Sequence, residues 1–159
     1  VTLRIEESGL KKHADDPCPH LTAGKGCGIY ATRPSACRTW HCAWRYMPKL
    51  GDEWRPDRSK ILLRLHDGGL ILQPLESPLE VLTSRLALTL VGDCIANSVP
   101  VFISVPGKKG HCYCLVQLNE GLASATGSRD FSIMQAAMTE AVNFAFQSTT
   151  APVQPFEAS

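Results

Sequence analysis

Four of the seven cysteines and two of the five histidines fall within twenty-seven residues, from Cys18 to Trp44. A deprotonated thiol is a soft ligand, so where thiols stay reduced such a cluster is more often a metal site than a disulfide framework. Four thiolates would close a tetrahedral shell. The order Cys18, Cys27, Cys37, Cys42 lacks the paired Cys-x-x-Cys knuckle, so it points to a metal without choosing between zinc, iron and an iron–sulfur cluster. The competing reading is of buried thiols acting as small hydrophobes.

The elements that must position these residues narrow the ligand set. Pro34 suits the first turn of a helix, where a missing N–H costs nothing. If that helix runs through Trp44, Cys37 and His41 lie four apart on one face, as do Trp40 and Trp44. Cys42, five residues from Cys37, joins them only if the helix ends, tightens or bulges near Trp40. Two sets therefore stand: Cys18, Cys27, Cys37 and Cys42, or Cys18, Cys27 and Cys37 with His41. His20 is a weaker candidate, and His13, in a polar run, reads as a solvated side chain. The tryptophans read as core.

Together, Cys18-Pro19-His20, Gly26-Cys27-Gly28-Ile29-Tyr30, Arg33-Pro34-x-x-Cys37-Arg38, Cys42-x-Trp44 and Trp54-Arg55-Pro56-Asp57-Arg58 make a long compound motif. It resembles the YkgJ-like cysteine-cluster family, bacterial proteins described as zinc- or iron-chelating, over roughly residues 1 to 65. The resemblance implies metal binding through Cys18, Cys27 and Cys37, with Cys42 shared by only part of the family, and implies no established reaction. Family members carry a further Cys-x-x-Cys-Cys block ahead of this segment, and the sequence opens at Val1 without it. The expectation is of either a fragment starting after a first ligand block or a variant lacking one.

At 159 residues the chain is long enough for one domain whose core does not depend on metal or disulfides. A formal charge of +1 gives no polyelectrolyte signature. Residues 1 to 60 hold 11 Lys or Arg against 7 Asp or Glu, but no aromatics interleave a basic stripe, so no nucleic-acid partner is expected. Neither a membrane-length apolar run nor a charged-then-apolar leader is visible, and the odd cysteine count does not suit a secreted framework. The expectation is a soluble cytoplasmic protein with a metal ion as its partner and no membrane partner.

Taken in order, Val1 to Glu7 alternates as a half-buried strand, and Ser8 to Lys25 reads as a polar loop. Met47 to Lys60 is irregular; its arginines suit an anionic ligand, but a connector with Arg55 and Arg58 neutralised by Asp57 and Glu53 is the simpler reading. Asp67-Gly68 between apolar runs predicts a hairpin. Ser77-Pro78-Leu79-Glu80 predicts a capping box opening one helix to about Asn97, stripes of leucine and valine packing it on a sheet, with Cys94 in the core. Val99–Val105 and His111–Leu118 predict a second strand pair, with Cys112 and Cys114 on one packed face. Asp130 caps a last helix to about Gln147, its inner face Phe131, Met134, Met138, Ala141 and Ala145, before a loose tail from Ser148.

The sum is an α+β domain, a mostly antiparallel sheet covered by two long helices, with an irregular N-terminal cysteine-rich metal module. Within the single domain 1–159, residues 1–60 form the module, 61–147 the core and 148–159 the tail. Neither paired carboxylates nor a supported nucleophile is recognisable, which points away from an enzyme. Three functions remain: a zinc- or iron-chelating protein whose site is structural or metal-handling, an iron–sulfur redox protein or enzyme, and an interaction module with inert thiols. The first predicts that Cys18, Cys27 and Cys37 converge in space.

Overall fold

Apolar and polar residues alternate at the start of the chain, and a short strand forms there. The computed structural model describes residues 4–7, 9–14, 16–24 and 26–156; the Val1–Leu3 part of the expected strand lies outside them. The chain divides into two units, Val1–His41 with Gln154–Ser159, and Cys42–Val153.

In the first unit β1 (Ile5–Glu7) pairs antiparallel with β2 (Leu10–Lys12), burying Ile5 and Leu10. β3 (Leu21–Thr22) pairs antiparallel with β4 (Gly26–Cys27), and a 3-10 turn at Tyr30–Thr32 leads to α1 (Ser35–Thr39). The segment expected to be loop thus contains β2 and β3. Gly9, Gly24 and Gly26, at φ of 86°, 69° and 83°, allow the reversals that close both pairs, a conformation costly for a residue with a Cβ. The last residues belong here too. Arg4 donates from Nη1 to the carbonyl of Gln154 and lies 4.5 Å from the centre of the Phe156 ring, on which His13 stacks at 4.3 Å. As far as Phe156 the expected loose tail is tied down, and His13 is not the expected solvated side chain, because the Phe156 ring gives it a surface to cover.

The second unit begins with 3-10 turns at Ala43–Arg45 and Asp52–Trp54 and the short α2 (Pro56–Ser59). Ala43 and Trp54 are buried. Arg55 pairs bidentately with Asp57, and Arg58 with Asp52 rather than Glu53. The arginine-rich connector therefore neutralises itself.

Next come β5 (Ile61–His66) and β6 (Gly69–Pro74), joined by the expected two-residue turn with Asp67 and Gly68 at positive φ. The chain then leaves the sheet through α3 (Pro78–Leu82) and α4 (Arg85–Ala96). Because it returns by this crossover instead of a hairpin, β7 (Val101–Val105) pairs parallel with β6. β8 (Cys114–Gln117) closes the order β5-β6-β7-β8, antiparallel to β7. The protein is a mixed α+β fold with a four-stranded mixed sheet. Register puts Ile61, Leu63, Leu72, Val101, Ile103 and Val105 on one face, all fully buried; α3, α4 and α6 (Phe131–Gln147) pack against strands β6 to β8.

Several expected elements change for local reasons. The helix from Pro78 breaks at Thr83, since Ser84 is extended (ψ 152°) and its hydroxyl caps α4 by accepting from Ala87 N, whereas Ser77 makes no capping bond. The buried side of α4 is Ala87, Leu88, Val91 and Cys94. β7 starts at Val101 because the Asn119 side chain takes Val101 N and Val99 O, at 2.9 Å each. β8 starts at Cys114 because the chain end takes the residues before it: Cys112 N donates to Ala151 O, and His111 bridges to Pro152. Cys112 is consequently exposed and Cys114 buried, so they do not share a packed face. α5 (Asn119–Ser128) was not foreseen; only Leu122 and Ala125 of it are buried. α6 starts at the Asp130 cap as expected, but buries Met134, Met138, Val142 and Ala145, leaving Phe131 and Ala141 off the inner line.

Candidate metal centre

Cys18 and Cys27 are tied by backbone. Leu21 N donates to Cys18 O at 3.0 Å, closing a four-residue turn, and Leu21 stands opposite Cys27 in the β3–β4 pair. Gly28 N then donates to His20 O at 2.8 Å. A Cβ on Gly28 would meet that same carbonyl at 3.3 Å and the Thr22 hydroxyl at 3.2 Å, so the Gly26-Cys27-Gly28 run lets the chain pass close to the turn. Cys18 is half-buried and Cys27 exposed.

Cys37 rides on α1, a helix too short to stand alone. Pro34, its N-cap, has no side-chain oxygen to offer. Glu7 of β1 supplies one instead: its carboxylate accepts from Ala36 N at 2.7 Å, Ser35 N at 2.8 Å and the Ser35 hydroxyl at 2.8 Å. Those bonds, that of Ala36 foremost, favour the ionised form and hold the Glu7 carboxyl below its usual range. Glu7 had no signature in the sequence, because capping across 28 residues leaves no local pattern.

α1 ends at Thr39 and Trp40 is extended, ψ 131°, so the helix does not run to Trp44. Cys37 and His41 therefore do not share a helical face, nor do Trp40 and Trp44. The His41 ring turns back, with Nδ1 3.0 Å from Thr39 O. Cys42 is the first residue of the second unit, buried at the start of the turn Ala43–Arg45, whose Trp44 donates from its indole to Gly51 O.

The seven cysteines are free thiols. Among the described residues no three His, Cys, Asp or Glu side chains stand together as a metal-binding group. The donor chemistry of Cys18, Cys27, Cys37 and His41 fits a thiophilic divalent ion, but the expected convergence is not present as a preformed centre. Elsewhere, Cys94 is a core thiol, its pKa raised by burial and by Asp93 beside it. His13 Nδ1 is buried without a hydrogen-bond partner among the described residues. No described helix is long and apolar enough to cross a membrane. Comparison with protein-family models, curated proteins and solved structures finds no match.

Proposed function

We propose that the chain is a metal-binding cysteine-cluster protein of the kind its first 65 residues resemble, with the N-terminal unit as its metal module and zinc as the preferred ion. The site is structural or metal-handling, with Cys18, Cys27 and Cys37 as thiolate donors and either His41 or Cys42 as the fourth. The observation that carries the reading is the hairpin that registers Cys27 against the Cys18 turn, so that two of the thiols are placed by the same few backbone bonds. Because no three donors are gathered beforehand among the described residues, binding would draw Cys37 towards that pair, and ligation energy becomes ordering energy for the unit. The reading also places the protein in the cytoplasm, where thiols stay reduced.

Elemental analysis with an absorption spectrum, on protein purified without air, tests it. Stoichiometric zinc without a visible band is the expected result. Iron with a broad band near roughly 400 nm would favour the iron–sulfur redox alternative. Colourless, metal-free, fully folded protein would favour an interaction module with inert thiols.

A further inference from the structure

Leu118 N donates to Val101 O at 2.9 Å, in register with the β7–β8 pairs that follow, Phe102 with Gln117 through Val105 with Cys114. In an antiparallel pair, residues that exchange bonds alternate with residues that do not. Val101 and Leu118, Ile103 and Val116, and Val105 and Cys114 therefore turn their backbone groups towards one another. The N–H and C=O of Leu115 and Gln117 point the other way, to the outer side of the last strand in the sheet. No described residue bonds to them there; Leu115 is 46 % exposed, and Gln117 is exposed as well.

A free edge is ordinarily blunted by charge, proline or a bulge. β8 reads Cys-Leu-Val-Gln in unbroken register and has none of these. β5, at the opposite edge, carries Arg64 and His66 and has the turn Ala43–Arg45 and α2 packed on it. The geometry points to β8 of a second copy of this chain as the partner of the β8 edge, antiparallel about a two-fold axis at Val116. Leu115 then stands opposite Gln117 of the partner subunit, and every outward N–H and C=O of Leu115 and Gln117 in both copies is satisfied. The half-buried Val116 meets its own copy in the close, non-hydrogen-bonded position that suits β-branched pairs. A two-fold contact requires one patch to complement itself. An uncharged strand whose outward groups lie two residues apart does so, whereas a charged peptide finds no counter-ion along it. The edge lies in the second unit, so the pairing stands apart from metal binding.

Sedimentation equilibrium of the full chain tests this, with a reductant present to exclude disulfides through the exposed Cys112. The interface is small, so the concentration runs from about 10 µM to about 1 mM. The average mass of wild type is expected to rise from one chain towards two. Leu115→Pro removes an outward N–H and no bond to β7, and is expected to stay one chain throughout. The double variant Leu115→Lys, Gln117→Lys sets lysine opposite lysine and should do the same, while Leu115→Lys with Gln117→Glu sets lysine opposite glutamate and should regain at least wild-type association. Ala123→Lys with Ser124→Lys, the same added charge at exposed positions of α5, should associate as wild type does. Wild type that remains one chain at the highest concentration would overturn the proposal. So would a lysine–lysine variant that associates like wild type, or a lysine–glutamate variant no better than the lysine–lysine one.

Discussion

The carboxylate of Glu7 grips the first turn of α1 from another element, accepting from Ala36 N at 2.7 Å and Ser35 N at 2.8 Å. The helix carrying Cys37 is therefore anchored to the β1–β2 hairpin by one ionised side chain. Glu7→Gln keeps the shape and loses the charge, and amide exchange at Ser35 and Ala36 is expected to speed up several-fold. The sign of the pH dependence follows from the lowered carboxyl pKa. Its contribution is complete above the ordinary value of 4.5 and fades as pH falls through the lower folded value. The protection of those two amides, their exchange compared with that of an unfolded chain at the same pH, should hold from neutral pH down to that ordinary value and fall only below it in the wild type; a fall in protection well above it would contradict the assignment.

Asn119 fastens the start of β7 with a bond in each direction, Val101 N to Oδ1 and Nδ2 to Val99 O. Asn119→Ala orphans both backbone groups and should cost about 1–3 kcal/mol in urea unfolding. Asn119→Asp keeps the acceptor and loses the donor, so it should fall between wild type and alanine at neutral pH.

Gly69 opens β6 where Leu70 N donates to Pro100 O. A Cβ there would collide with the Pro100 carbonyl and would lie 2.8 Å from the Pro100 Cβ, both too rigid to move aside. Gly69→Ala should therefore destabilise the second unit by about 1–3 kcal/mol, while Gly121→Ala, with open space around it, serves as the tolerated control. Equal stability of the two variants would show that the β6–β7 junction relaxes freely.

What the sequence made legible is whatever rests on a local pattern. Asp67-Gly68 announces its hairpin because only certain residues accept positive φ, and Asp130 announces α6 because its carboxylate caps the Ser132 and Ile133 amides. α5 was invisible for the converse reason: with two glycines and just two buried side chains it has no apolar stripe to read, and it is held by Asn119 and Leu118 bonding back to β7. The break at Ser84 was hidden by leucines that keep helical spacing on both sides of it. At the candidate site, residue types and the Gly26-Cys27-Gly28 run were readable, whereas the Glu7 cap and the stop of α1 at Thr39 depend on partners far away or on a backbone turn. Those two features decide where Cys37 and His41 stand.

Removing metal should affect the units unequally. The sheet and α6 bury their own apolar residues, Met138 and Val142 among them, and thiolate ligation orders only the segments it ties. In the presence of a chelator, hydrogen exchange is expected to rise across residues 16 to 41 and to stay unchanged in β5–β7 and α6. Uniform loss of protection through α6 would show that metal holds the second unit as well.

The most direct measurement is zinc stoichiometry of the reduced protein after dialysis against zinc and removal of the excess, in wild type and in the triple variant Cys18→Ser, Cys27→Ser, Cys37→Ser. One zinc per chain in the wild type, near zero in the variant, and matching far-ultraviolet signals from the second unit are the predicted results. Wild type without zinc, or a variant that retains it, would contradict the assignment of these three thiols as the metal centre.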